Sequence, residues 1–173
     1  MGNAILVCGL NGAGKSTLAK ALAERLNLRF VDMEDLYFSK EDNPDYPYEK
    51  SRPYEEVVSL LTDIVNGEKD VVVASVTGKF GDKFISHLKC VVSVEVPREI
   101  RLKRVYDRSC ARFGDKGREG GAYYEQIQSF HEFCAAREEN LVNDWLATIS
   151  CPILRVDGTL PVADHVNLLA EKL

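Results

Sequence analysis

The chain of 173 residues is 45% hydrophobic and 28% charged, about one domain of ordinary globular composition, which excludes a disordered chain, a collagen-like repeat and a disulfide scaffold. Its net charge of −5, from 22 basic and 27 acidic side chains, argues against sequence-independent nucleic-acid binding but leaves room for a local basic site. No apolar run approaches the ~18 residues of a membrane-spanning helix, and Met1-Gly2-Asn3 lacks the basic start of a signal peptide, so a cytoplasmic protein without membrane or nucleic-acid partners is expected.

Ala4 to Cys8 is a continuous apolar run followed by glycines, the pattern of a strand buried on both faces. A helix is predicted from Lys15 to about Leu26, with Leu18, Ala19, Leu22 and Leu26 on one stripe. Leu28 to Val31 reads as a second strand ending at Asp32, and Glu34 to about Lys40 as a helical piece. Residues 41–53 hold three prolines and several acids and read as loop. Pro53 suits the first position of a helix over Glu55–Asn66, stopped by Gly67. Asp70 to Ser75 is a third strand, Phe80 to Leu88 a helix, Cys90 to Val96 a fourth strand, and Pro97 to about Phe113 a helix. Gly114, Gly117, Gly120 and Gly121 punctuate a charged loop. Residues 122–150 carry apolar side chains at helical spacing, in one long helix or two joined near residues 138–140. Ile153 to Val156 is a fifth strand and Val162 to Leu173 a closing helix. Buried strands alternating with helices predict an α/β fold with a parallel sheet covered on both faces.

Gly9-Leu10-Asn11-Gly12-Ala13-Gly14-Lys15-Ser16, followed by Thr17, matches G-x-x-x-x-G-K-[ST] between a strand and a helix. Glycines let the backbone turn its N–H groups inward at phosphate oxygens, and the helix N-terminus adds about half a positive charge. Lys15 supplies a full charge for the outer phosphates, and the Ser16 hydroxyl is a hard ligand for Mg²⁺. A nucleoside triphosphate, ATP, is the expected ligand, but the loop by itself does not separate kinases from other users of such nucleotides.

Asp32, Glu34 and Asp35 stand at the carboxyl end of the second strand, the edge where ligands sit in an open α/β sheet. A carboxylate there can hold Mg²⁺ or accept the proton of an acceptor hydroxyl; it can equally cap a helix. The third strand ends in Ser75-Val76-Thr77-Gly78, with no acid in the usual Walker-B place. Arg101, Arg104, Arg108 and Arg112 fall within a stripe about 80° wide on one helix face. Like charges so placed repel unless an anion comes between them, so this helix and the glycine loop are expected to form a lid over the phosphates at about residues 112–121. Arg52, Lys79 and Lys83 are basic residues of a kind usually found as plain surface cations. Five cysteines without a C-x-x-C pair read as reduced thiols, not as a zinc site.

On these residues the chain resembles the P-loop small-molecule kinases of the adenylate, shikimate and gluconate kinase group, over nearly its whole length. Arg104-Val105-Tyr106-Asp107-Arg108 is similar to the R-x-x-x-R at the adenylate kinase lid, which implies Arg104 on adenine and Arg108 on the phosphates. Arg137 is placed like a further phosphate-binding arginine of that group. Val156 to Val162 resembles the segment whose backbone reads the adenine edge, which implies Gly158 and Leu160 in nucleotide binding. Asp32-Met33-Glu34 resembles the D-x-D of shikimate and gluconate kinases, which serves metal and acceptor. The resemblance also implies that Arg52, Lys79 and Lys83 lie where an anionic acceptor could bind. The G-F-P-R of adenylate kinases and the G-G-G of shikimate kinases are absent after the third strand.

The expectation is a single domain over residues 1–173 with the three-layer P-loop NTPase fold: a five-stranded parallel sheet, helices on both faces and a lid after the fourth strand. Its expected activity is transfer of the ATP γ-phosphoryl group to a nucleotide, nucleoside or hydroxy or sugar acid. Lys15, Asp32 and Arg108 are the expected catalytic residues, Ser16 and Asp32 the metal ligands, and Glu34 and Arg52 the acceptor contacts. The alternative is a P-loop ATPase or nucleotide-binding regulatory protein without such an acceptor. Oligomeric state is not legible.

Overall fold

The computed structural model describes residues 2–38, 46, 48, 50–67 and 69–173. Among these residues five strands form one sheet: β1 (Ala4–Cys8), β2 (Arg29–Asp32), β3 (Val71–Ser75), β4 (Leu88–Glu95) and β5 (Ile153–Asp157). Their order is β2-β3-β1-β4-β5 and every pairing is parallel. The register sets Cys8 between Ser75 and Ser93, and Asp32 opposite Ala74. The end of β1 and Asp32 therefore lie two strands apart on one edge, about 10 Å at normal strand spacing.

Among the described residues, eight helices flank the strands: α1 (Lys15–Leu26), α2 (Met33–Tyr37), α3 (Tyr54–Val65), α4 (Asp82–Ser86), α5 (Arg98–Phe113), α6 (Tyr124–Ala136), α7 (Leu141–Leu146) and α8 (Val162–Lys172). Successive strand side chains point to opposite faces, so β1 feeds two cores. Ala4, Leu6 and Cys8 join Val57, Leu61, Phe84 and Trp145 under α3, α4 and α7. Ile5 and Val7 join Leu18, Leu22, Val166 and Leu169 under α1 and α8. Each fully buried Leu or Val stabilises this three-layer arrangement by about 1.5–3 kcal/mol. Among the described residues no helix is long and apolar enough to cross a membrane.

The element order matches the sequence reading; several boundaries move. Pro53 and Pro97 are caps, not first helical residues: each stays extended while its carbonyl accepts the first helical bond, from Val57 and Arg101 at 3.1 Å. The helix after β3 shortens to Asp82–Ser86, because β4 begins at Leu88 and extends beside β1. Residues 122–150 divide into α6 and α7, with Arg137 extended between them. The loop after α5 holds one turn of 3-10 helix, Gly114–Gly117. The helix expected to reach Lys40 runs over Met33–Tyr37; its expected end and most of the loop at 41–53 lie outside the described residues, as does Met1.

Candidate functional site

The loop after β1 reaches α1 through Gly14, left-handed at φ 94°, and no side chain caps the helix. Its first amides therefore stay free to meet an anion. Gly12, at φ 83°, lies so close to the backbone of Arg101 that any Cβ would overlap its carbonyl. Arg101 itself is 2% exposed. It donates to the carbonyls of Val96 at 3.1 Å and Asn11 at 3.3 Å, and to both carboxylate oxygens of Glu139 at 2.7 and 2.6 Å. The phosphate loop is thus bolted to α5 from behind.

This geometry corrects the reading of the arginine stripe as one phosphate-facing set. Arg101 is a structural strut. Arg104 donates to the carbonyl of Gly158 at 3.0 Å, and Arg112 donates to the hydroxyl of Tyr48 while lying 4.9 Å from its ring centroid. Of the four, Arg108 lines the cavity that holds Lys15. The repulsion expected of a bare stripe is relieved because Arg101, Arg104 and Arg112 each find a different partner.

Two cavities of about 460 Å³ flank the phosphate loop. The first is lined by Ala13, Gly14, Thr17, Arg104, Gly158 and Leu160. Its rim is shaped by Asp157, which accepts from the Thr159 amide at 2.9 Å and hydroxyl at 2.6 Å; these bonds hold its carboxyl below the usual value. The second is lined by Asn11, Gly12, Lys15, Ser16, Asp32, Glu34, Arg108 and Arg137, and beyond them by aromatic rings. Gly9 lies outside both cavities, in a third of about 540 Å³ under the ends of β4 and β5.

Lys15, Arg108 and Arg137 converge at the head of the second cavity. The Lys15 ammonium donates to the Leu10 carbonyl at 3.2 Å. Burial lowers it from an ordinary 10.5 to about 8; the Asp32 carboxylate opposes this, and the positive charges of Arg108 and Arg137 add to it. Burial also lowers Arg137, whose guanidinium sits 4.5 Å from the Phe133 ring centroid. Three cations with one nearby carboxylate give this end of the cavity a net positive charge.

Asp32 caps α2, accepting from the Glu34 amide at 3.0 Å, and also lines the second cavity. Capping and a chemical role are therefore compatible in one carboxylate. Glu34 accepts from the Tyr48 hydroxyl at 2.7 Å. Burial and that neighbouring carboxylate raise the Tyr48 phenol, so it remains a proton donor. Arg52, expected at the acceptor, does not line this cavity. Its guanidinium donates to the Leu36 carbonyl at 2.8 Å and pairs with Glu56 at 3.2 Å.

Sequence reasoning missed the aromatic wall. Phe38 meets Tyr48 edge-on at 5.3 Å, Tyr48 meets Tyr46 at 5.7 Å, and Tyr46 stacks on Tyr123 at 4.9 Å. The signal was present as two tyrosines within a segment read only for its prolines and acids. The buried Asn11 Oδ1 has no hydrogen-bond partner among the described residues.

The sheet order, the loop between β1 and α1, and the cation cluster define a P-loop protein of the small-molecule kinase fold. The chain belongs to the AAA domain family, whose profile matches residues 5–121. It is 30% identical, over 98% of its own length and 96% of the other, to the uncharacterized protein YqaC of Bacillus subtilis. A gluconokinase from Sinorhizobium meliloti superposes with a TM-score of 0.57 at 17% identity, covering 98% of this chain and 94% of that one. A shikimate kinase from Aquifex aeolicus gives 0.54 at 17% identity, with the same coverage of 98% and 94%. At such identities the likeness establishes the fold.

Proposed function

We propose that the protein is an ATP-dependent kinase that transfers the γ-phosphoryl group to a hydroxyl of a small-molecule acceptor. One observation carries this reading: the phosphate loop has a cavity on each side, and the second continues past the cations into an aromatic chamber. Hydrolysis needs room for a water; a chamber of this size suits an organic acceptor.

In this reading Arg104 and the backbone at Gly158 and Leu160 hold adenine. The triphosphate then crosses the amides from Gly12 to Thr17, and Lys15, Arg108 and Arg137 meet the γ-phosphate. The acceptor oxygen attacks phosphorus and forms the new O–P bond. The bond to the β-phosphate oxygen breaks, ADP leaves with its electron pair, and Asp32 takes the hydroxyl proton. The three cations stabilise charge on the migrating group, the largest contribution available in such a transfer. Closure of residues 112–121 over the site would exclude water from it.

Ser16 and Asp32 line one cavity, and a hydroxyl with a single carboxylate suits Mg²⁺, which keeps most of its waters. When bound, the ion would neutralise phosphate charge.

The test is ADP formation by the full chain with ATP–Mg²⁺ across nucleosides, nucleotides, sugar acids and shikimate. Formation that rises with one acceptor supports a kinase. A slow rate independent of every acceptor supports the ATPase or regulatory alternative.

A further inference from the structure

The far end of the second cavity has a chemistry of its own. Its walls include Phe38, Tyr46, Tyr48 and Phe133, and its polar floor carries Asp32 and Glu34. The cations among its described lining residues are Lys15, Arg108 and Arg137, all gathered at the phosphate loop. The neighbouring arginines are committed: Arg112 to the hydroxyl and ring of Tyr48, Arg52 to the Leu36 carbonyl and Glu56.

An acidic acceptor therefore meets a mismatch. With a triphosphate on Lys15, Arg108 and Arg137, none of the described lining residues at the far end offers a cation, and Glu34 would repel a carboxylate or phosphate there. A flat ring meets the opposite conditions. Aromatic walls bind planar groups by stacking and edge contacts at little entropic cost. Among the described residues Glu34 meets Tyr48 through Oε1, and its Oε2 is an oxygen that can accept an N–H or O–H of the ligand. The Phe38 backbone is held by a bridge to Ser51 and by its N–H donating to the Glu34 carbonyl at 2.9 Å, so this part of the wall is preformed.

Resting on the kinase reading above, we infer that the acceptor is an uncharged alcohol bearing a planar heteroaromatic ring, of nucleoside type, and not a sugar acid or a nucleotide. The ring sits against Phe38 and Tyr48, an N–H or O–H of the ligand donates to Glu34, and the reacting hydroxyl points to Asp32. That hydroxyl loses its proton to Asp32 as its oxygen bonds to the γ-phosphorus, with ADP as leaving group.

The experiment uses the full chain with ATP–Mg²⁺. The four common ribonucleosides and a hydroxymethylpyrimidine form one arm; gluconate, shikimate and the four nucleoside monophosphates form the other. At least one ring alcohol should raise ADP formation at least 10-fold above background, with a phosphomonoester on its hydroxyl seen by phosphorus NMR. Phe38→Leu should raise the KM for that alcohol 3- to 10-fold without moving the KM for ATP, and Glu34→Gln should raise it similarly. Rescue by the conservative Phe38→Tyr would separate ring contact from a folding defect. Phosphorylation of gluconate, shikimate or a monophosphate, with ring alcohols inert, overturns this inference and leaves the kinase reading standing. ADP formation flat across both arms overturns both.

Discussion

Arg101 and Glu139 form a two-bond ion pair at 2.7 and 2.6 Å in which the arginine is 2% exposed and the glutamate side chain half-exposed. The pair ties α5 to the connection before α7, and the remaining Arg101 donors hold the carbonyls of Val96 and Asn11. Its role is to fix the P-loop to α5.

Arg101→Met keeps the volume and removes every donor. The Val96 and Asn11 carbonyls then lose charge-assisted bonds, at a cost of about 2–3 kcal/mol. Tm should fall by roughly 5–10 °C in calorimetry, and ATP affinity should fall with it. Arg101→Lys should rescue little, since an ammonium cannot span three carbonyl and carboxylate partners in a plane.

Lys15 is expected to oppose stability in the free protein. Its folded-state value of about 8 lies below the ordinary 10.5, so between those pH values the unfolded chain binds more protons and stability rises with pH. Below pH 8 both states are protonated and the folded chain carries the full cost of a recessed ammonium. Lys15→Met should therefore raise Tm at pH 7 in the absence of nucleotide, while removing the stabilisation by ATP–Mg²⁺ and cutting turnover by at least about 10²–10³-fold. A lower Tm for the variant at pH 7 would show that the ammonium supports the loop.

Asp32→Asn separates capping from chemistry. Asparagine caps a helix about as well as aspartate, so the bond from the Glu34 amide survives and the unfolding free energy should stay within about 0.5 kcal/mol of wild type. Turnover should fall by ~10²-fold or more if the carboxylate takes the hydroxyl proton. Acceptor-dependent turnover near wild type would move that role to Glu34.

Gly158→Ala tests the proposed adenine side. A Cβ there would lie 2.6 Å from Val94 and Val96 methyls and 2.9 Å from the Ala13 carbonyl. Relief requires the phosphate loop or β4 to shift. The expected result is a rise in the KM for ATP of about 10-fold with little change in kcat, read from steady-state kinetics at saturating acceptor.

The sequence alone determined the P-loop motif and the layer order. The apolar run Ala4–Cys8, the glycine loop and Lys15-Ser16 are contiguous, so local chemistry was enough to place them; strand and helix periods did the same for the sheet. Asp32 was legible because it ends a strand, and strand ends meet at one edge. Tertiary structure decided what depends on distant partners. Spacing along α5 could not separate Arg101 from Arg108, because Glu139 and Asn11, which claim Arg101, lie 38 and 90 residues away. Arg52 met the Leu36 carbonyl, 16 residues away, for the same reason, and the aromatic chamber exists only where Phe38, Tyr48, Phe113 and Phe133 converge from four segments. Periodicity reports which face of an element is buried; which charge or ring it meets there is set by packing between elements.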